Sequence, residues 1–316
     1  MYIKNNICDI LRISPILTVA IASWLSFGNA TGQTLDADTI REAQYASLRN
    51  MLCPGQDTAP PAMTPTVAPP AQVFDNFYML GETGTTAWAL TTSEGIILFD
   101  AMFHYNVEET VADALVEVGL DPQDIRFVVI SHAHNDHFGG AHYLQQTFGA
   151  RIIMSVEDWE HMHTWPQLGS LAPFPDFDTA VRDGYTITLG DTTVEFVLTS
   201  GHTPGTLSSI FPVRDGENTH YVGYWGASSV GFLPPEGLVE YMGSADRFGR
   251  LDGRVDVPLA NHPLVDGSLF KLEALQSRRD GDPHPFVEGN DGFKQWMDTI
   301  HDCAGDVLEQ KLREAR

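Results

Sequence analysis

Between His132 and Gly140 the sequence reads His-Ala-His-Asn-Asp-His-Phe-Gly-Gly, directly after the apolar run Phe127–Ile130 and Ser131. A short, uninterrupted apolar run of this kind is a strand buried on both faces of a sheet. Three imidazoles and a carboxylate at its exit cannot enter the core unpaired. They belong in the loop at the strand's C-terminal end, where open α/β sheets commonly carry their sites. Imidazole and carboxylate are zinc ligands, and ligands two residues apart converge in a loop where a regular helix would point them apart. One such stretch does not complete two tetrahedral sites. His202, in Ser-Gly-His-Thr-Pro-Gly, and His262, in Ala-Asn-His-Pro, each follow an apolar strand and can reach the same edge. The candidate ligands are therefore His132, His134, Asp136, His137, His202 and His262. The other histidines of the folded region, His104, His142, His161, His163, His220, His284 and His301, read as ordinary surface or core residues.

The rest of the chain reads as strands alternating with helices, an α/β pattern. Strands are predicted at 77–80, 86–91, 95–99, 127–130, 151–154, 185–189, 194–198, 207–213, 220–224 and 255–260, with Gly190-Asp191 turning a hairpin. Helices are predicted at 38–52, 140–148, 156–163, 268–279 and from 290 toward the C-terminus. A further helix starts at Asn106, whose spacing to Glu109 has the form of a capping box, and runs to Gly119. Two βα-rich halves, each a sheet with helices on its outer face, make a four-layer αββα sandwich.

With 43% hydrophobic residues in 316, the chain can bury a large core without needing disulfides. Lys4 and Arg12 precede an apolar run from Ile16 to Phe27 and the small-residue site Gly28-Asn29-Ala30. This is the form of a removable signal peptide, and the run is shorter than the roughly 20 residues a membrane span needs. The expected organisation is a signal peptide at 1–30, an N-terminal helix and Pro-rich arm at 31–72, and a catalytic domain at 73–316. The expected destination is the periplasm or the exterior, with no stable membrane insertion after cleavage. The Pro-rich stretch 54–70 is expected to be extended, either as an arm over the body or as a flap beside the site. A formal charge of −24 repels phosphate backbones, which argues against a nucleic-acid partner and for a small-molecule substrate. Outside the signal segment the cysteines are Cys53 and Cys303; an oxidising compartment allows a bridge between them, and sequence alone leaves that open.

The run His132-Ala-His134-Asn-Asp136-His137 resembles the H-x-H-x-D-H signature of the metallo-β-lactamase superfamily, and the similarity extends from about Phe74 to Cys303. Within that superfamily the contexts of His132, His202 and Asn261-His262-Pro263 are most similar to the third subclass of the class B β-lactamases. The resemblance implies two Zn2+ ions, one on His132, His134 and His202, the other on Asp136, His137 and His262. It also implies that Asp100, after the strand Ile96–Phe99, is the family's structural aspartate. One departure stands out. Many hydrolases of the superfamily place a metal-bridging Asp after the strand corresponding to 220–224, whereas here the chain reads Tyr224-Trp-Gly-Ala-Ser-Ser229. That favours the β-lactamase branch, where a Ser occupies the neighbourhood, and makes Ser228 and Ser229 candidate substrate contacts. No Lys is placed near this segment to grip a substrate carboxylate.

The implied mechanism is hydrolysis of a β-lactam amide by a hydroxide shared between the two metals, its parent water lowered in pKa from about 15.7 toward ~7. Asp136 then serves both as ligand and as acceptor orienting the hydroxide. A lactonase or esterase, acting for example on acyl-homoserine lactones, uses the same chemistry. A non-catalytic zinc-binding protein on the same scaffold is the alternative of another class. Trp159, Trp165, Phe174 and Phe177 read either as core or as a hydrophobic wall of the cleft.

Overall fold

The computed structural model describes residues 37–53, 65–164 and 172–316. The signal segment expected at 1–30, most of the Pro-rich stretch and Trp165 lie outside the described residues. Helix α1 (Ala37–Leu52) leads to four antiparallel strands, β1 (Ala71–Phe74), β2 (Phe77–Gly81), β3 (Thr86–Thr92) and β4 (Gly95–Phe99). Next come a π-helical segment (Glu108–Asp113) running into α2 (Ala114–Glu117), then β5 (Ile125–Val129), α3 (Asn135–Phe138) and α4 (Ala141–Phe148). β6 (Arg151–Ser155), α5 (Val156–Thr164) and β7 (Thr179–Val181) close this half. From β4 to β7 the strands pair in parallel, so the first sheet has seven strands in chain order. The second sheet holds β8 (Thr186–Leu189), β9 (Thr192–Leu198), β10 (Leu207–Asp215) and β11 (Asn218–Trp225). After α6 (Pro235–Leu251), β12 (Val257–Ala260) joins it parallel to β11, and α7 (Pro263–Asp266), α8 (Ser268–Gln276) and α9 (Gly289–Glu314) follow.

The layering follows from the period of two along each strand. In β4, Ile97 and Phe99 enter the core between the two sheets, while Ile96 and Leu98 enter the core beneath the helices. Trp88 and Leu90 of β3 and Val129 of β5 face inward in the same way, opposite Phe196, Phe211 and Tyr224 of the second sheet. Phe99 stacks on Phe211 at 4.4 Å across the gap. On the far side, Val197, Ile210 and Trp225 pack against Tyr241 and Phe248 of α6 and Trp296 and Ile300 of α9. The result is the expected α/β sandwich of four layers, helix, sheet, sheet, helix. Among the described residues no helix is long and apolar enough to cross a membrane.

Three local readings differ. Asn106 does not cap a helix: its side chain donates to Glu82 Oε1 at 2.7 Å, and the chain enters a π-helical segment through Val107 with no side-chain cap. The partner across the chain outcompetes the local one. The helix predicted at 268–279 ends at Gln276; β1, β7, α6, α7 and α3, the short helix that carries Asp136 and His137 where a loop was expected, went unpredicted. In α6 the buried positions Leu238, Tyr241, Ala245 and Phe248 recur at helical spacing after Pro234-Pro235, so the signal was present.

Helix α1 packs into the body described by 36–316 rather than lying apart from it. Leu48 and Leu52 enter the core with α6 and α9, and Ser47 donates to the Leu264 carbonyl of α7 at 2.7 Å. Cys53 is disulfide-bonded to Cys303 of α9, closing a loop of 250 residues. Reduction, or Cys303→Ala, should lower the unfolding free energy by about 2–4 kcal/mol, read as a lower midpoint in urea; an unchanged midpoint would mean the bond adds no stability.

Another buried polar group makes stability depend on acidity. His284 is 6% exposed and stacked on Phe74; it donates from Nε2 to the Val73 carbonyl and accepts at Nδ1 from the Phe286 amide. Burial lowers it to about 4, against a smaller opposing pull from the Val73 carbonyl. The unfolded chain takes up a proton below about 6.5 that the folded chain refuses. This contribution is therefore complete above pH 6.5, declines as pH falls toward 4 and is flat below. A His284→Phe variant should lack that slope, worth about 3 kcal/mol, when wild type and variant are compared by denaturant titration at pH 7, 5.5 and 4.

Candidate metal centre

The six candidate ligands meet at one rim of the sandwich because each sits just beyond a strand that ends there. β5 delivers His132, His134, Asp136 and His137; β9 delivers His202; β12 delivers His262. Their atoms form two sets, His132 with His134 and His202, and Asp136 with His137 and His262, the potential ligand atoms of each set lying within 4.8 Å of one another. In the first set, His132 Nε2, His134 Nδ1 and His202 Nε2 lie 3.0–3.1 Å apart. In the second, Asp136 Oδ2 is 3.2 Å from His137 Nε2 and 3.7 Å from His262 Nε2.

The opposite ring nitrogens show why the rings point this way. His132 Nδ1 donates to the Gly226 carbonyl at 2.8 Å, His202 Nδ1 to Ser229 at 2.7 Å and His262 Nδ1 to Gly84 at 2.7 Å. His137 Nδ1 lies 2.8 Å from Asp100 Oδ2. A proton held on Nδ1 by an acceptor leaves Nε2 with its lone pair facing the site, the arrangement that orients histidine toward a metal. His137 Nε2 is fully buried and faces the Asp136 carboxylate, so both donor atoms are aimed at one point. Three converging imidazole nitrogens together with a carboxylate-bearing set fit a pair of divalent cations of the zinc type.

Electrostatics agree with that fit. Burial, followed by the neighbouring imidazoles, holds His132 well below its ordinary range. Burial likewise takes His134 to about 4 and His202 to about 3, so these rings are neutral near neutral pH. His137 is the exception: burial would lower it, but the carboxylates of Asp136 and Asp100 outweigh burial and lift it to about 10. Burial opposes ionisation of Asp136, yet the charge of His137 holds its carboxyl far below the usual range.

Asp100 is the hub beneath the cluster. It is fully buried; Oδ1 accepts from the Ser131 amide at 2.7 Å, and Oδ2 accepts from Ser131 Oγ at 2.9 Å and Tyr224 OH at 3.0 Å in addition to His137. Its φ of 62° is a left-handed conformation that Asp tolerates better than most residues. Gly140 meets a different need, since a Cβ there would lie 2.2 Å from the Ala101 carbonyl and 2.4 Å from Val107. The Gly-Gly after His137 lets the ligand loop close against the segment following Asp100.

The segment 226–229 supplies scaffold. Ser228 is 1% exposed and its hydroxyl donates to Asn261 Oδ1 at 2.6 Å, while Asn261 Nδ2 donates to Ser131 Oγ and the Gly226 carbonyl, both at 3.1 Å. The hydroxyl expected to meet substrate is thus bonded to Asn261, which in turn ties the segment before His262 to Ser131 and Gly226. Ser229 is half-buried, and its carbonyl orients His202.

Beside the first set opens a cleft of about 430 Å³, lined by His134, His202, Phe232, Leu233, Glu236 and Glu240 among others. Phe232 is 57% exposed, its ring 5.3 Å from His202 and 6.1 Å from His134. The aromatic residues read from sequence as core or cleft wall lie elsewhere, and Phe232 was not among them. Trp159 is core, donating to the Thr179 carbonyl; Phe174 is half-buried against Phe138; Phe177 is exposed and packs on Trp159. Among the other histidines, His161 lines the cleft, His220 pairs with Asp256 and His284 is core.

Comparisons with known proteins agree with this geometry. Residues 80–215 match the family model of the metallo-beta-lactamase superfamily. The chain is similar to the solved structure of BJP-1, a subclass B3 metallo-beta-lactamase of Bradyrhizobium japonicum, with 26% identity, a TM-score of 0.69, and coverage of 79% of this chain and 97% of that one. Among curated proteins it is 35% identical over 85 residues to a hydroxyacylglutathione hydrolase of Acidiphilium cryptum, covering 27% of this chain and 30% of the relative. It is 29% identical over 109 residues to the N-acyl homoserine lactonase AttM of Agrobacterium fabrum, covering 31% of this chain and 40% of the relative. The matched stretch thus spans a third or so of the curated relatives' length. Residues 80–215 thus carry a metallo-β-lactamase-type domain, in a chain with the fold of the subclass B3 enzyme BJP-1 and two residue sets whose chemistry suits metal ions.

If Asp100 fixes the tautomer of His137, Asp100→Asn should fold yet bind metal at the Asp136, His137 and His262 set about 10–100-fold more weakly. Competition with a chromophoric chelator reads this directly, and unchanged affinity would remove Asp100 from that role.

Proposed function

We propose that this chain is an exported dinuclear zinc hydrolase that opens β-lactam rings. The observation that carries this reading is the pair of three-ligand sets, their imidazoles turned by backbone carbonyls and Asp100 so that ring nitrogens converge. Two zinc ions, when bound, supply Lewis acidity at the scissile carbonyl and a nucleophile at neutral pH. The chain's own residues do the rest. His132, His134 and His202 hold one position at the edge of the cleft, so a carbonyl entering past Phe232 meets it first. Asp136 keeps 23% of its side chain exposed, enough for an oxygen to accept a hydrogen bond from the attacking water and fix its direction. The segment 226–229 carries no carboxylate, in keeping with the β-lactamase branch of the family.

Export is supported by the basic, apolar and small-residue pattern of residues 1–30 and by a disulfide of the kind that persists in oxidising compartments. The strongly acidic chain supports a small-molecule substrate over nucleic acid. A second reading, hydrolysis of an uncharged lactone or ester, draws on the charge of the cleft. Glu236 and Glu240 line it, no Lys or Arg does among the described residues, and the stretches 54–64 and 165–171 contain none. Substrates bearing a carboxylate meet no cationic side chain there.

The test is a panel of β-lactams and acyl lactones assayed with the metal-loaded protein, after chelation and after zinc is restored. β-Lactam turnover that is abolished by chelator and returns with zinc is expected; turnover of lactones alone selects the second reading, and full metal loading without turnover of either indicates a non-catalytic zinc protein. In the loaded protein, Asp136→Ala should lower kcat by about 10²-fold or more with little change in thermal midpoint; near-normal turnover would exclude the orienting role.

A further inference from the structure

Asp158 lies in the first turn of α5, is 0% exposed, and has no Lys or Arg in ion-pair contact among the described residues. Its carboxylate is satisfied by donors from two other loops. Oδ2 accepts from the Ala133 amide at 2.8 Å and from Thr203 Oγ1 at 2.8 Å, and Oδ1 accepts from the Gly205 amide at 2.7 Å. Ala133 is the residue between His132 and His134, and Thr203 follows His202. One buried carboxylate therefore grips both loops that form the three-histidine set.

The surroundings are built for this grip. A Cβ on Gly205 would lie 2.1 Å from Ser155 Oγ, 2.4 Å from the Asp158 amide and 2.7 Å from Asp158 Oδ1, so only glycine lets the His202 loop come this close to α5. Ser155 Oγ accepts from the Asp158 amide at 3.1 Å, and Thr206 Oγ1 accepts from the Thr203 amide at 3.0 Å, fixing both sides of the contact. Every group facing the carboxylate at hydrogen-bond distance is a donor, which matches an ionised acceptor and no other group of that size. An amide in its place would turn one donor, its NH2, against another.

We propose that Asp158 is a positioning residue which holds the His132–His134 loop and the His202 loop in register, and so sets the metal affinity of the three-histidine site separately from that of the Asp136, His137 and His262 site. This rests on reading the two sets as metal sites. The second set has its own supports, Asp100 and the Gly84 carbonyl, neither of which bonds to Asp158. Loss of Asp158 should consequently appear as a split between the two affinities.

The experiment titrates metal-free protein with Co2+ and Zn2+ in competition with a chelator, with His262→Ala used to assign the three-histidine site. In Asp158→Asn that site should weaken by at least about tenfold, while the second site stays within about twofold of wild type and the metal-free thermal midpoint is little changed. Thr203→Val, which removes one of the three bonds and leaves the carboxylate in place, should give a smaller loss at the same site and serves if Asp158→Asn does not fold. Equal weakening of both sites, or an unchanged three-histidine site in folded variants, would overturn the proposal. Wild-type protein that binds no metal would instead overturn the reading of the two sets on which it rests.

Discussion

A fully buried carboxylate ties the structure together at Asp100. It ends β4, receives the Ser131 amide and hydroxyl at the end of β5, reaches the Tyr224 hydroxyl of the opposite sheet, and holds the ring of His137. Burying an ionised group is tolerable only when its lone pairs are filled, and here four donors fill them. Burial, then the charge of Asp100 itself, keeps the Tyr224 hydroxyl far above its usual range, so it remains a donor. The two sheets are joined elsewhere by apolar packing, which is tolerant of small shifts. At the rim they are joined by directional bonds, which are not. The ligand cluster forms where the sandwich has least freedom to adjust.

The same economy extends outward. Backbone carbonyls at Gly84, Gly226 and Ser229 orient three of the imidazoles, and each belongs to a different segment of the rim. Asn261 and Ser228 join the segments that carry those carbonyls. Helix α1, far from the cluster in sequence, packs on α7 directly after His262 and is fixed to α9 through Cys53. The open side of the site is different in character. Phe232, Glu236 and Glu240 are exposed and form no part of this network, so the cleft can vary in shape and charge without disturbing the ligands. That separation is how one fold accommodates distinct substrates over a common metal-binding rim.

Much of this was legible in the residues. The strands around the ligand loop have side chains that are apolar on both faces, a pattern that specifies burial between a sheet and a helix layer. The six ligands follow from residue type and from their places at strand ends. What failed to read were features decided by distant partners. Asn106 had the spacing of a cap, but Glu82, brought beside it by β2, took its side chain. Ser228, a candidate substrate contact in sequence, is buried with its hydroxyl on Asn261. Phe232 illustrates the same limit, since an aromatic residue's sequence context does not tell which layer it will face.

The sequence by itself determined that strands would alternate with helices and that imidazoles and carboxylates would sit at strand exits, because those properties depend on local periodicity and residue chemistry. Only the tertiary structure decided that Cys53 would meet Cys303, that Ser228 would be spent on Asn261, and that Asp158 would bridge two ligand loops. Those outcomes depend on distances between segments up to 250 residues apart, and such distances are fixed by how the layers pack, a collective result that no stretch of chain encodes alone.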